Sequence, residues 1–541
     1  MPSWPLCAGW HVPDRRRLLP VFFVVVAVLC LALALTAGPR TTTPPQVRAK
    51  VVSSPASASW GPTRDEVALA AAYVDRMSLK QQAGQVIVAK YRGTGAPLRA
   101  LRTLHLGGVI ANSGNIASVK QIRAVNARLA REFARRSYPG FVAVDQEGGL
   151  VARVRGTATR WPTFMATGAA DRPGLTEEVA RANGRELANL GFTVDLAPVA
   201  DVTTGSGDPT IGTRSAGGRP ALVARHVVAY AAGLQSAGIL PVVKHFPGHG
   251  SVGTDSHRAL PVQNRSRATL VASDLVPFRE AVEHGAPAMM TGHIALRSEN
   301  ASVPASLSSA LTTGLLRDQL GFGGLVVTDA LDMGAVTLRH SPGDASVRAL
   351  RAGADVLLMP ADARRARDGI VHAVRAGDLP RARLVQAAAR MIASLLHARS
   401  NGVETAPPGA GTKLSLQLSR SAVTSVSGPC SGRLVGKAVR LRGPVLLRKA
   451  LKRDLRGSGL RYGRGTIVVL VPAGARAPRK AGVVVALDRP GLLARTRARV
   501  RLATFGDGPG SVRALADVLL GRDQAPGRLP VTAPGLRRQG C

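Results

Sequence analysis

With 541 residues, 45% of them hydrophobic, the chain is too long for one ordinary core and too apolar to be disordered, so two domains with additional segments are expected. Its 72 Lys and Arg against 33 Asp and Glu give a formal charge of +39, which excludes an acidic solvating chain and favours nucleic acid, acidic lipid headgroups or anionic cell-wall polymers as partners. No aromatic-interleaved basic stretch or recognition motif accompanies the charge, which favours compositional bias toward Arg at solvated positions as its plain reading and leaves nucleic acid out of the expected partners.

In chain order, Arg15, Arg16 and Arg17 precede an apolar run from Leu18 to Thr36. This reads as an export signal whose length borders on that of a membrane anchor. Residues 1–38 are therefore expected to be a signal peptide or anchor, touching the membrane through 18–36 if uncleaved, with the rest of the chain secreted or held in the cell envelope. Residues 39–62 are Pro/Ser/Thr-rich and read as a spacer. Cys7 and Cys30 belong to the leader, which leaves Cys430 and Cys541 as the pair available for one disulfide in an oxidising compartment.

From residue 63 to 398, short apolar runs alternate with amphipathic stretches. Eight runs are expected to be strands: 84–90, 106–112, 141–146, 192–199, 240–245, 287–293, 324–329 and 354–360. Each is apolar through its body, as a parallel strand covered on both faces must be. Several end in a polar residue, among them Lys90, Asp145, Lys244, His245, His293 and Asp329. The pattern predicts an α/β fold, a (β/α)8 TIM-type barrel, with its active site at the rim where the strands end. After a second linker, 399–411, residues 412–541 are expected to form a smaller, strongly basic α/β layered domain. Strands are expected in 466–474, 481–490 and 499–508 and a helix in 511–521.

The chemistry-bearing residues cluster at the strand ends. Asp329 follows the apolar GLVVT and can serve as a nucleophile or cap the following helix; Asp332 is the more natural residue of the two to cap that helix or to support the site from behind. In KHFPGHGSVGTDSH (244–257), Asp255 stands two residues before His257. A carboxylate so placed can orient an imidazole for proton transfer or simply close a loop. The spacing of His245, His249 and His257 matches no recognised metal-ligand motif, and no cofactor is implied. Gly248, Gly250 and Gly253 are expected to let this loop move over substrate. Asp145 and Arg153 in DQEGGLVAR, and Arg214 in DPTIGTR, suit hydrogen bonding to sugar hydroxyls or line solvated loops.

These motifs, in this order across 63–398, together with PASLSSALTTGLLRDQLGFGGLVVTDALDM, resemble family 3 glycoside hydrolases of the β-N-acetylglucosaminidase branch. The resemblance implies a retaining enzyme that cleaves terminal β-linked GlcNAc, typically from peptidoglycan fragments (muropeptides). It implies Asp329 as nucleophile, His257 as acid/base with Asp255 as its partner, and Asp145, Arg153, Arg214, Lys244 and His245 as substrate-binding residues. β-Glucosidase relatives generally draw their acid/base from a Glu of the second domain. After Glu404 this chain contains no Glu, which independently favours the GlcNAc branch. Two rival readings are GlcNAc phosphorolysis, since a histidine tolerates an anionic acceptor better than a carboxylate does, and a non-catalytic cell-wall-binding protein.

Overall fold

The computed structural model describes residues 61–205, 208–400 and 402–536. The expected leader, Cys541 and all but the last two residues of the spacer lie outside them. Among the described residues no helix is long and apolar enough to cross a membrane.

Eight parallel strands occupy the predicted runs: β1 Ile87–Lys90, β2 Gly108–Ala111, β3 Phe141–Val144, β4 Val194–Asp195, β5 Leu240–Pro241 continuing as Val243–Phe246, β6 Ala288–Thr291, β7 Leu325–Thr328 and β8 Leu357–Leu358. They pair in chain order from β1 to β7. β8 pairs with β1, and a bridge between Val327 and Val356 joins it to β7, so the ladder returns to its start. Alternation sorts the side chains. Val88, Ile110, Ala143, Leu240, Val242, Met290 and Val327 fill the interior, while Val109, Val142, Val144, Val243, Met289 and Val326 face the surrounding helices.

The helices follow from spacing and caps. Val119–Ala134 starts where the Ser118 side chain accepts from the Gln121 N–H, and it buries Ile122, Val125, Leu129 and Phe133 on one face. Pro173–Asn189 and Pro220–Ser236 each open on a proline, which loses nothing at a first-turn position. β4 is shorter than its run predicts. Pro198 has no N–H to donate, and past it only a single bridge, Val199 to Lys244, continues the pairing.

Residues 412–536 build a second, six-stranded sheet from β9 Thr424–Ser427, β10 Ala438–Arg442, β11 Arg461–Tyr462, β12 Thr466–Val471, β13 Val483–Ala486 and β14 Val500–Ala503. Their order is β9-β14-β13-β12-β10-β11, parallel except for the pairing of β9 with β14. The sequence reading found β12, β13, β14 and the helix Pro509–Leu519. It missed β9 and the basic edge strands β10 and β11. Cys430 is disulfide-bonded.

The second sheet packs on helices and loops of the barrel region. Trp161, Met165, Ala166 and Leu175 pack with Val471, Val484, Phe505 and Val531 in one apolar cluster. Thr163 donates its N–H and its hydroxyl to the Phe505 carbonyl at 2.8 and 2.9 Å. Segment 402–411, expected to be a linker, lies strapped along Pro173–Asn189. Glu404 pairs with Arg181 at 2.5 Å, and the Gly411 N–H donates to Glu186 at 3.0 Å.

Candidate active site

Parallel strands end together at one rim, and four of the polar residues that terminate them there, Asp145, Lys244, His245 and Asp329, line one cavity of about 360 Å3, whereas Lys90 and His293 do not. That volume lies at the small end of ligand pockets, which run from about 300 to 1,000 Å3. Asp145, Arg153, Arg214, Lys244, His245, His257 and Asp329 all line it. Asp255, the remaining residue singled out from the sequence, bonds His257 instead: His257 Nδ1 lies 2.7 Å from Asp255 Oδ1, which also accepts the His257 backbone N–H at 3.0 Å.

Two glycines make the first wall. Gly148 and Gly149 have φ of +94° and +55°, and a Cβ on either would come within 2.5 Å of Pro162 O or 2.4 Å of Thr163 Cγ2. The chain therefore turns back tightly into a short hairpin, Gln146–Gly148 against Val151–Ala152. Gln146 staples it by accepting from the N–H groups of Arg153 and Val154 at 2.9 and 3.0 Å. Arg214 is set by Asp208, whose oxygens accept from the N–H groups of Thr210, Ile211 and Gly212 at 2.8–3.0 Å.

A buried charge lattice forms the floor. The Lys244 ammonium, 2% exposed, lies 2.8 Å from Asp145 and 2.7 Å from Glu147. Glu147 in turn accepts two hydrogen bonds from Arg214, both 2.8 Å. Burial would raise the Glu147 carboxyl, but Arg214 and Lys244 outweigh it and hold it far below the usual range. Beneath them Asp195, wholly buried, is pushed up to about 7, by burial first and then by the neighbouring Asp145 and Glu147. Lys244 and His245 are adjacent in β5, yet both line the cavity; the peptide between them is cis, and the pairing with β6 slips in register there.

Asp201, also fully buried, positions two histidines. Its Oδ2 lies 2.7 Å from His245 Nδ1, and its Oδ1 accepts the His249 N–H at 2.6 Å. Asp329 follows β7, with its backbone N–H on Thr291 O at 2.9 Å and its Oδ1 accepting the Ala330 N–H at 2.8 Å. Burial would raise this carboxyl as well. His245, His293, the Ala330 N–H and Lys244 prevail and hold it at about 2. Asp329 is thus an anion at neutral pH, and the cavity it lines is also lined by the His257 imidazole, whose side chain is 64% exposed.

Several sequence expectations change. Of the two roles open to Asp332 the capping one falls away, since the following helix starts from Met333, while Asp332 lines the cavity and pairs with Lys90. The loop carrying His257 is not a free arm. The carbonyls of Ser256 and His257 accept from the N–H groups of Ala335 and Gly334 at 3.2 and 3.1 Å, and a Cβ at Gly250 would meet Val202 O at 2.4 Å. Of its three glycines only Gly253 stands in open space. The three histidines of the loop turn to separate partners, Asp201, Ser256 and Asp255. Among the described residues no cluster of His, Cys, Asp and Glu suited to a metal forms. The sequence reading gave no role to Glu147, Asp201 or Asp195, whose partners lie 67, 44 and 49 positions away. The C-terminal region also touches the loop that carries Arg214. Asp488 bonds Thr213, and Arg489 donates to Pro209 O at 2.8 Å.

Comparison with known proteins gives a consistent picture. Residues 78–394 match the family model of the glycosyl hydrolase family 3 N-terminal domain. The chain is 37% identical over 273 residues to beta-hexosaminidase A of Pseudoalteromonas piscicida, covering 47% of this chain and 46% of that protein. It is 35% identical over 369 residues to beta-hexosaminidase LpqI of Mycobacterium tuberculosis, covering 66% of this chain and 92% of that one. Among solved structures, a glycoside hydrolase family 3 beta-N-acetylglucosaminidase from a Paenibacillus species superposes with a TM-score of 0.77 at 30% identity. That match covers 84% of this chain and 99% of the other.

Proposed function

The chain belongs to glycosyl hydrolase family 3, and from that membership we propose that it is a retaining exo-β-N-acetylglucosaminidase removing terminal β-linked GlcNAc, with peptidoglycan fragments as its substrate. The observation that carries this reading is a single cavity bringing an anionic Asp329, an exposed His257 backed by Asp255, and the Asp145/Lys244/Glu147/Arg214 lattice to one rim.

In this mechanism Asp329 attacks the anomeric carbon while His257 gives its proton to the departing glycosidic oxygen, leaving a glycosyl ester and a free alcohol. Water then attacks the ester, surrendering a proton to His257, and frees the sugar and the carboxylate. Asp255 holds His257 through Nδ1, which keeps Nε2 for the transferred proton. The low pKa of Asp329 supplies the anion the first step needs. A base that is neutral when deprotonated avoids setting a second negative charge beside that nucleophile. Asp145, Lys244, Arg153, Arg214 and His245 hold the sugar hydroxyls, Arg214 and Lys244 being fixed in place by Glu147. The apolar run 18–36 would carry the enzyme out of the cell or anchor it in the envelope, and the basic C-terminal region would hold it near anionic wall polymers.

Product analysis on aryl β-GlcNAc, β-glucoside and β-xyloside substrates, with and without inorganic phosphate, tests the proposal. Release of free GlcNAc is expected. GlcNAc-1-phosphate as the main product would replace hydrolysis with phosphorolysis, and absence of turnover would leave a wall-binding role.

A further inference from the structure

One loop, 208–214, supplies three residues of the pocket wall: Thr210, Ile211 and Arg214. Its own backbone bonds are short-range turns, from the Arg214 N–H to Ile211 O at 2.9 Å and from the Ser215 N–H to Gly212 O at 3.2 Å. Such bonds shape a loop without placing it. The barrel holds it at two points, where Asp208 accepts the Thr203 hydroxyl at 2.7 Å and where Arg214 meets Glu147.

The C-terminal region supplies further holds. Asp488 and Arg489 follow β13, beyond the carboxyl end of a strand paired in parallel on both sides. Asp488 Oδ1 accepts the Thr213 hydroxyl, and both residues are buried. The Arg489 guanidinium donates to Pro209 O at 2.8 Å and packs against Gly212, 3.6 Å from where a Cβ would stand. Just past the loop, the Gly218 N–H donates to Pro530 O at 3.0 Å. Asp488 and Arg489 themselves lie outside the lining of the pocket. Glu147 aims the Arg214 guanidinium, but the aim is useful only if the backbone that carries it is fixed, and a misplacement of about 1 Å at a site can cost roughly 100-fold in rate.

We infer that Asp488 and Arg489 are positioning residues of the sugar site: through Thr213, Pro209 and Gly212 they set where loop 208–214, and with it Arg214, stands at the pocket wall. The C-terminal region thereby takes part in substrate binding without contributing a group that touches substrate. The inference rests on the proposed function in taking Arg214 as a sugar ligand.

The test reads the loop directly and then through turnover, in the full chain. Arg489→Ala, at an exposed position, removes both of that residue's contacts, while Arg489→Lys keeps a donor. Asp488→Ala removes the acceptor, while Asp488→Asn keeps a carbonyl oxygen for Thr213. Thermal unfolding checks that each variant is folded; should Asp488→Ala fail, Arg489→Ala carries the test. Hydrogen exchange should run about tenfold faster in segment 209–215 of the alanine variants, with helix Val119–Ala134 unchanged. On the aryl β-glycoside that the parent cleaves best, each alanine variant should lose about tenfold in kcat/KM, chiefly through KM, and the conservative variants should recover most of it. In an Arg214→Ala background the same substitutions should cost less than about twofold more, because they act through Arg214. Unchanged exchange in 209–215, or an equal loss in both backgrounds, would overturn the inference. A parent that turns over no glycoside would remove the proposed function and leave the exchange measurement to decide this inference by itself.

Discussion

At the barrel rim, Lys244, Glu147, Asp201 and Asp195 are all under a tenth exposed, and each has a partner within the lattice. The C-terminal region uses its charge differently. Residues 401–541 hold 26 Lys and Arg against 6 Asp and Glu, and the basic helix Val445–Asp454 leaves Val445, Leu446 and Lys449 exposed. The same groups therefore work in two dielectric settings. Buried and paired, each charge fixes the state of its neighbours; exposed and unbalanced, each is screened within about 10 Å at 0.1 M salt and only the sum acts at a distance.

The largest effect expected at the rim is on catalysis. Asp329→Ala should lower turnover of a chromogenic β-GlcNAc substrate by roughly 10^4-fold or more. Parent-like activity would break the contrast by making the rim lattice merely structural. His257→Ala should cost about 10^2- to 10^4-fold, and less on substrates whose leaving group departs without a proton, which a comparison of aryl leaving groups would reveal. Next comes stability: Glu147→Gln leaves Lys244 and Arg214 facing too little negative charge, and should destabilise the fold by about 3–5 kcal/mol in denaturant titration.

Acid dependence sharpens the contrast further. Asp195 has a folded pKa of about 7, above the unfolded value of about 3.9. The folded state therefore binds the extra proton, and this group makes stability fall as pH rises from about 4 to 7, by at most about 1.4 kcal/mol per pH unit. Asp329, held at about 2, acts in the opposite sense: its contribution is present above pH 4 and disappears as pH falls through 2. Unfolding curves of the parent and Asp195→Asn should differ in the upper window and run in parallel below it. The smallest effect on stability belongs to the surface. Lys449→Glu with Lys452→Glu should change it by less than about 0.5 kcal/mol per site while weakening salt-sensitive binding of the whole chain to an anionic wall polymer. Binding that ignores salt would count against an electrostatic tether.

Asp145, Lys244 and Asp329 were legible because a buried parallel strand has no reason to end in a charge unless that end faces a cavity. The spacing of His257 to Asp255 fitted a loop hydrogen bond equally well, and its proposed role came from the family resemblance. Glu147 and Asp201 were not legible, since DQEGG and ADVTTG read locally as solvated loops, and only pairing with Arg214 and His245 across the fold buries them. β10 escaped notice for a related reason: AVRLR alternates apolar and basic residues beside a two-residue edge strand, so it lacks the continuous apolar run that marked the other strands.

The common cluster that Trp161 and Met165 form with Val471 and Phe505 bears on how the molecule can be handled. A version cut after the strapped segment 402–411 would bare a sticky apolar face on the catalytic half, and the severed C-terminal half would bare its complement. Neither piece is a sound reagent by itself, so wall-affinity and turnover experiments alike call for the undivided polypeptide.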